Sequence, residues 1–366
     1  NQAVEAGNIM MCYVGLGSPR GAAQERIITI NQINEWRNID RLMLFVSATC
    51  EFARIDDPEF TSAGEWMALN PTGAAIALMT TTRAVWFSTN SITTNRFFRN
   101  VFLRDTDEKP RPFGDIITDT KNSILGGSNN KRAFMLLGDP ALRIALPYEK
   151  AVIDSLNGVA ISSVQLDTIR ALSKVRFSGH LEDQFGNSLN GFNGILQPSV
   201  FDKPQLQSTL GQAPDSPVLE FLQQRNVLYR GRVTVTNGRF NFEFIIPRDI
   251  DFSFGPGKAS LYAFNQQNES GGGYSRDFII GGIDTTGLDD NVGPEITLFL
   301  NDDSFVNGGI TNETPILIAQ LFDESGINTV GTGIGHDITA ILNDETANAK
   351  VLNQFYEADL DTYQSG

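Results

Sequence analysis

The sequence predicts an α/β domain up to about residue 148, followed by antiparallel β-sandwiches of immunoglobulin-like kind. Three observations carry this. Short continuous apolar runs alternate with segments of helical spacing as far as Tyr148. Beyond Pro147-Tyr148-Glu149-Lys150 the apolar period changes to two. The chain is also rich in turn and strand formers, with 34 Gly and 25 Phe in 366 residues.

In the first part, residues 9–14 (IMMCYV), 42–46 (LMLFV) and 74–79 (AAIALM) are unbroken apolar runs closed by Gly or small residues. Such runs suit strands buried on both faces of a parallel sheet. Residues 25–36, 62–69, 95–103 and 115–125 read as helices, the second stopped before Pro71. The β-α-β order implies right-handed crossovers. A sheet of three or four strands leaves an exposed edge, so further strands are expected before Asn1. In the second part, residues 175–181, 230–235 and 239–245 alternate, with turns at Asp183-Gln184-Phe185-Gly186-Asn187 and Thr236-Asn237-Gly238. Segment 149–285 is therefore expected to be one sandwich. A linker follows at 284–293, and 286–366 is expected to hold the start of a second, incomplete sandwich.

Composition narrows the function. Apolar residues make up 41% and charged ones 19%, enough to build cores. The net charge of −15 argues against nucleic acid and against anionic lipid as partners. No run of eighteen apolar residues exists, so no membrane span is expected. Residues 1–6 have neither the basic nor the apolar region of a signal peptide. Two cysteines, Cys12 and Cys50, do not make a disulfide framework.

Two strand ends stand out. Gly15-Leu16-Gly17-Ser18 closes the first strand, and Ser47-Ala48-Thr49-Cys50-Glu51 closes the second. Open α/β sheets gather reactive groups at the carboxyl ends of their strands. Amides at such a position activate a thiol and hold an oxyanion. A small cysteine at a strand end is nevertheless more often a core residue, and Cys12, in mid-strand, is expected to be core. Glu51 reads as a solvated loop carboxylate. Asp302-Asp303 and Asp289-Asp290 offer oxygen ligands for calcium, with solvated loops the simpler reading. His336 beside Asp337 reads as a turn or strand-end residue, since two neighbours make a poor metal site. Gly271-Gly272-Gly273 reads as a flexible loop, lacking the helix and Lys of a phosphate cradle.

The stretches Tyr13-Val14-Gly15-Leu16-Gly17, Gln24-Glu25-Arg26-Ile27 and Ala48-Thr49-Cys50-Glu51-Phe52-Ala53-Arg54 resemble the gingipain-like cysteine peptidases. So do Gly64-Glu65-Trp66, Asn70-Pro71-Thr72-Gly73-Ala74-Ala75-Ile76-Ala77, Thr80-Thr81-Thr82-Arg83 and Leu137-Gly138-Asp139-Pro140-Ala141-Leu142-Arg143. Within that family the sortases of the type nine secretion system match best. The match continues into Leu189-Asn190-Gly191-Phe192-Asn193-Gly194, Leu300-Asn301-Asp302 and Gly331-Thr332-Gly333-Ile334-Gly335-His336-Asp337-Ile338.

The resemblance implies a caspase-like peptidase domain, of which 1–148 is the C-terminal part, followed by immunoglobulin-like modules. It implies that Cys50 is the nucleophile and that the backbone N–H groups of Gly17 and Cys50 form the oxyanion hole. It also places Thr82, Arg83 and Trp86 at the substrate pocket, with Trp86 balanced between pocket wall and core. The family's catalytic His falls on Leu16, which cannot take or give a proton. An unassisted thiol is only a few per cent ionised at neutral pH, and losing acid–base help costs about 10²–10⁴ in rate. His180 and His336, both in the expected sandwiches, offer no substitute. The implied activity is removal of C-terminal sorting domains from secreted cargo and transfer of the cargo to anionic lipopolysaccharide. It would take place on the outer face of the bacterial outer membrane, beside the barrel PorV. A binding module without catalysis, or a secreted protease acting on host proteins, are the rival expectations.

Overall fold

Four strands build the sheet that positions the candidate site: β1 (Met10–Val14), β2 (Met43–Ala48), β3 (Ala75–Thr81) and β4 (Phe134–Leu137), in that spatial order. In the computed structural model β1, β2 and β3 run parallel and β4 is antiparallel to β3. The chain divides into two units, Asn1–Leu146 and Pro147–Gly366. The structure describes residues 2–124, 129–162, 168–212, 216–286, 292–330 and 337–366. The expectations at Asp289-Asp290 and at residues 331–336, His336 included, lie outside them.

All six residues of β2 are buried, as a continuous apolar run at the centre of a sheet requires. β1 has a similar composition but lies at the sheet edge, where only part of it is covered. Cys12 is consequently exposed and not the core residue that its apolar surroundings suggested. Position in the sheet, which composition does not encode, decides this.

Helix α1 (Ile30–Glu35) starts at Thr29, whose hydroxyl and Gln32 form a capping box. It is shorter than expected because residues 28–29 are spent in a ribbon with Gly17–Ser18 and Gly21–Ala22. Helix α2 (Ala63–Leu69) starts at the equivalent Ser62–Glu65 box. Helix α3 (Phe87–Val101) begins eight residues before the expected 95, and α4 (Phe113–Asn122) is the last of the four expected helices; short helices also form at Gln2–Ala6 and Asn129–Ala133. The face of α3 that packs inward carries Asn90, Thr93, Thr94, Phe97 and Val101, so three of its five residues are polar and its period is masked. Ile33, Trp36, Phe45, Phe52, Met67 and Leu78 fill one side of the sheet. Val46, Met79, Phe97, Ile116 and Phe134 fill the other.

The second unit is strand-rich. Its large sheet runs in the order β9 (Arg239–Ile245), β6 (Lys174–Glu182), β5 (Glu149–Leu156), β11 (Ser270–Ser275), β10 (Lys258–Phe264), β7 (Gly194–Phe201), β8 (Val227–Val235) and β12 (Ala358–Leu360). Alternation buries Phe240, Phe242 and Phe244 of β9 against Phe177 of β6, whose ring stacks on Phe242 at 5.2 Å. Residues of the 286–366 segment complete this sheet, because β12 pairs in parallel with β8. Another part of that segment forms a two-stranded hairpin, Glu295–Leu300 with Leu317–Phe322. Among the described residues, no helix is long and apolar enough to cross a membrane.

Candidate active site

The site is built where β1 and β2 end side by side. Parallel register pairs Val14 with Ala48. The residues that follow each strand, Gly15–Gly17 and Thr49–Cys50, therefore emerge at the same level. Gly15 N–H donates to the Ala48 carbonyl at 3.4 Å. Gly17 lies closer still: a Cβ on it would sit 2.5 Å from Thr49 Oγ1 and 2.9 Å from Thr49 Cγ2. Only glycine lets the turn seat there. The turn itself is held by the Leu16 carbonyl, which accepts from Ala23 N–H at 2.8 Å and from the Tyr13 hydroxyl at 2.6 Å. Hydrogen bonds alternate along an antiparallel pair, so this bond turns the neighbouring Gly17 N–H away from its partner strand. The Leu16 side chain is 66% exposed.

The other wall comes from the segment after β3. Thr81 donates its hydroxyl to the Thr49 carbonyl, Ala53 N–H donates to Thr81 O at 2.9 Å, and Glu51 N–H donates to Arg83 O at 3.3 Å. These bonds draw Val85 onto the half-buried Cys50. Its N–H approaches Cys50 Sγ at 3.5 Å, and the thiol faces the Val85 carbonyl at 3.6 Å. Asn90, buried in the first turns of α3, donates Nδ2 to the Ala48 carbonyl at 2.6 Å and so ties the helix to the same strand end. Asn130 holds the Trp86 carbonyl at 3.0 Å.

Of the residues expected at the substrate pocket, Thr82 is bonded to the Ala133 carbonyl through its N–H at 2.9 Å. Arg83 makes a two-pronged pair with Asp56 at 2.9 and 2.5 Å. The Arg83 hydrogen bonds hold the Asp56 carboxyl below the usual carboxylate range. Trp86 is 79% exposed, which removes core packing as its role, and Phe87 beside it is equally open. Glu51 takes a left-handed backbone conformation and faces Arg54 at 3.8 Å. The strand ends thus bring Cys50, Gly17, Val85 and Asn90 together, with Leu16 in the same turn as Gly17. Thr49 was read only as part of the strand-end motif, and Val85 and Asn90 went unremarked in the sequence, where nothing marks a backbone contact 35 residues away. His180 belongs to β6 in the second unit, with Nδ1 2.8 Å from Asp154 and Nε2 3.6 Å from Glu182.

Among the described residues no group of three or more His, Cys, Asp or Glu side chains is arranged to hold a metal. The Asp302 carboxylate is engaged by the N–H and hydroxyl of Ser304.

The sequence profile of peptidase family C25 matches residues 1–145. Among solved structures, the dimeric latent PorU of Porphyromonas gingivalis is 30% identical, with 73% of this chain and 26% of that chain covered and a TM-score of 0.42. The Arg-specific cysteine proteinase gingipain R is 12% identical, covering 77% of this chain and 54% of its own, with a TM-score of 0.37. The complex of the pro- and mature domains of RgpB, also from Porphyromonas gingivalis, is 12% identical, with coverages of 77% and 56% and a TM-score of 0.36. The chain thus spans about a quarter of the PorU structure and about half of the gingipain ones. No curated protein matches it.

Proposed function

We propose, from the premise that residues 1–145 belong to peptidase family C25, the cysteine peptidases of gingipain type, that Cys50 is the nucleophile of an acyl transfer. The supporting observation is the convergence of a half-buried thiol and a glycine turn on one strand end. The Cys50 thiolate, its proton given up to water, adds to a peptide carbonyl, and the carbonyl electron pair moves to oxygen, where the N–H groups of Gly17 and Cys50 receive it. Collapse expels the amine and leaves a thioester on Cys50, which an amine or water resolves. The departing amine needs a proton, and Leu16 has none to give. This copy is therefore impaired by about 10²–10⁴ relative to one with a general acid–base at that position.

In substrate we place it with the PorU-like sortases, on the strength of the motifs shared across both parts of the sequence. Its cargo would carry C-terminal sorting domains, its acceptor would be anionic lipopolysaccharide, and its anchor on the outer face of the outer membrane would be the barrel PorV. The first unit would be the C-terminal part of a caspase-like domain and the second unit its immunoglobulin-like support. A second reading, a cargo-binding module without catalysis, is favoured by Leu16 together with the open apolar surfaces of Trp86 and Phe87. A peptidyl acyloxymethyl ketone separates the two. Stoichiometric labelling that maps to Cys50 and disappears in Cys50→Ala supports the peptidase; an unlabelled Cys50 leaves the binding module.

A further inference from the structure

Among the described residues, buried hydroxyls in the first unit have hydrogen-bond partners, with one exception. Ser47 and Thr80 bond each other at 2.7 Å, Thr81 reaches the Thr49 carbonyl, and Thr93, Thr94 and Thr120 each bond the carbonyl four residues back. Thr49, 1% exposed, has a hydroxyl with no partner. In this unit just one other buried side-chain atom among the described residues shares that condition, Asn90 Oδ1. Both belong to residues packed on the strand end that carries Cys50: Asn90 bonds the Ala48 carbonyl, and Thr49 precedes the cysteine. An orphaned buried polar atom costs about 1–3 kcal/mol, and valine would fill the Thr49 site with the same shape and without that cost. Local rules broken together at one place point to function there.

We propose that Thr49 is a positioning residue for acyl transfer, bearing on Gly17 and completing its own hydrogen bonding in the reacting complex instead of in the resting fold. The proposal rests on the Gly17 and Cys50 amides being the oxyanion donors. Thr49 Oγ1 lies 2.5 Å from where a residue-17 Cβ would stand, so the hydroxyl packs directly against the Gly17 backbone and backs the turn that carries its N–H. The hydroxyl packed on that backbone has its proton uncommitted in the resting fold, available when negative charge develops at the turn.

The test compares two reactions of the same sulfur in the 366-residue chain carrying Cys12→Ser, so that Cys50 alone reacts. Acylation by a p-nitrophenyl ester passes through an oxyanion: the thiolate adds to the carbonyl, the oxyanion collapses, nitrophenolate leaves with its electron pair, and a thioester forms. Alkylation by iodoacetamide displaces iodide and forms no oxyanion. Thr49→Val is expected to slow acylation about 10-fold or more, part of the 10²–10³ that a whole oxyanion donor provides, while alkylation stays within about twofold. Its melting temperature should hold or rise, because the orphan is gone, and Thr49→Ser should retain acylation within about threefold. Unchanged acylation in Thr49→Val, an equal fall of both reactions, or a lowered melting temperature each overturns the proposal. A wild-type Cys50 that alkylates but never acylates instead removes the oxyanion donors themselves, and the proposal with them.

Discussion

Adding one methyl group at Gly17 tests the seating of the turn on which the site depends. The new Cβ would lie 2.5 Å from Thr49 Oγ1, 2.9 Å from its Cγ2 and 3.1 Å from the Gly21 carbonyl. Non-bonded carbons are comfortable only at about 3.5–4.0 Å. Thr49 has little room to retreat: it is buried, stiff at χ1, and fixed through its carbonyl to Thr81. Gly17 is not in a left-handed conformation, so backbone strain adds nothing and the cost is steric. Overpacking of this kind costs about 1–3 kcal/mol. At about 2–4 °C per kcal/mol for a unit of this size, Gly17→Ala should melt about 2–12 °C lower by calorimetry of the whole chain. Labelling of Cys50 by the peptidyl probe should fall with it. Combining Gly17→Ala with Thr49→Ala removes both colliding atoms, so most of the lost stability should return and the two changes should couple by about 1 kcal/mol or more. An unchanged melting temperature, or strictly additive effects, would refute contact between the turn and the cysteine strand.

Two further outcomes follow from the same geometry. Leu16→His restores a proton carrier to the turn, and hydrolysis of a peptide amide should rise by about 10²–10⁴, whereas acylation by a nitrophenyl ester, whose leaving group needs no proton, should change far less; equal response of both substrates would mean that residue 16 does not serve the leaving group. Asp56→Asn removes the acid partner of Arg83, and because the folded carboxyl is held below its ordinary range, the pair's stabilisation is fully present above about pH 4 and is lost as pH falls through the folded value. Melting curves of the variant and wild type should therefore differ at pH 6 and converge in acid, and a gap that persists below the folded value would show that the charge pair is not its source.

The central strand and the cysteine at its end were legible because both follow from local pattern. A run such as Leu42-Met43-Leu44-Phe45-Val46 has no stable place except between two apolar layers, and the residue after it must stand at a strand end. The exposure of Cys12 was not legible, since β1 and β2 read alike and only pairing order makes one of them an edge. Helix α3 was cut short in the reading for a different reason. Thr93 and Thr94 bury their hydroxyls by bonding carbonyls four residues back, which gives a polar sequence an inward face. Trp86 stood balanced between wall and core; Asn130 and Asn90 both bond its carbonyl and fix its backbone at the helix start, and its side chain stands exposed. The Val85 contact with sulfur depends on the pairing of residues 49–53 with 81–83, which no single segment reveals.

These parts divide the chemistry unequally. Adding a thiolate to a carbonyl requires a held sulfur and donors for the new negative charge, and on the proposed assignment the backbone of Val85, Gly17 and Cys50 would supply both. Expelling an amine requires a proton, and on the same assignment the side chain at residue 16 would be the group to carry it. On the proposed assignment, leucine at residue 16 withholds the proton from the second step and leaves the thiol of the first step without a base. On that reading the site would still accept an acyl group but would discriminate steeply by leaving group. Loss of the backbone arrangement, as in Gly17→Ala, should instead depress every acyl substrate together. The pattern of losses across substrates, more than the size of any one rate, therefore tells a damaged peptidase from a surface that never carried out the reaction.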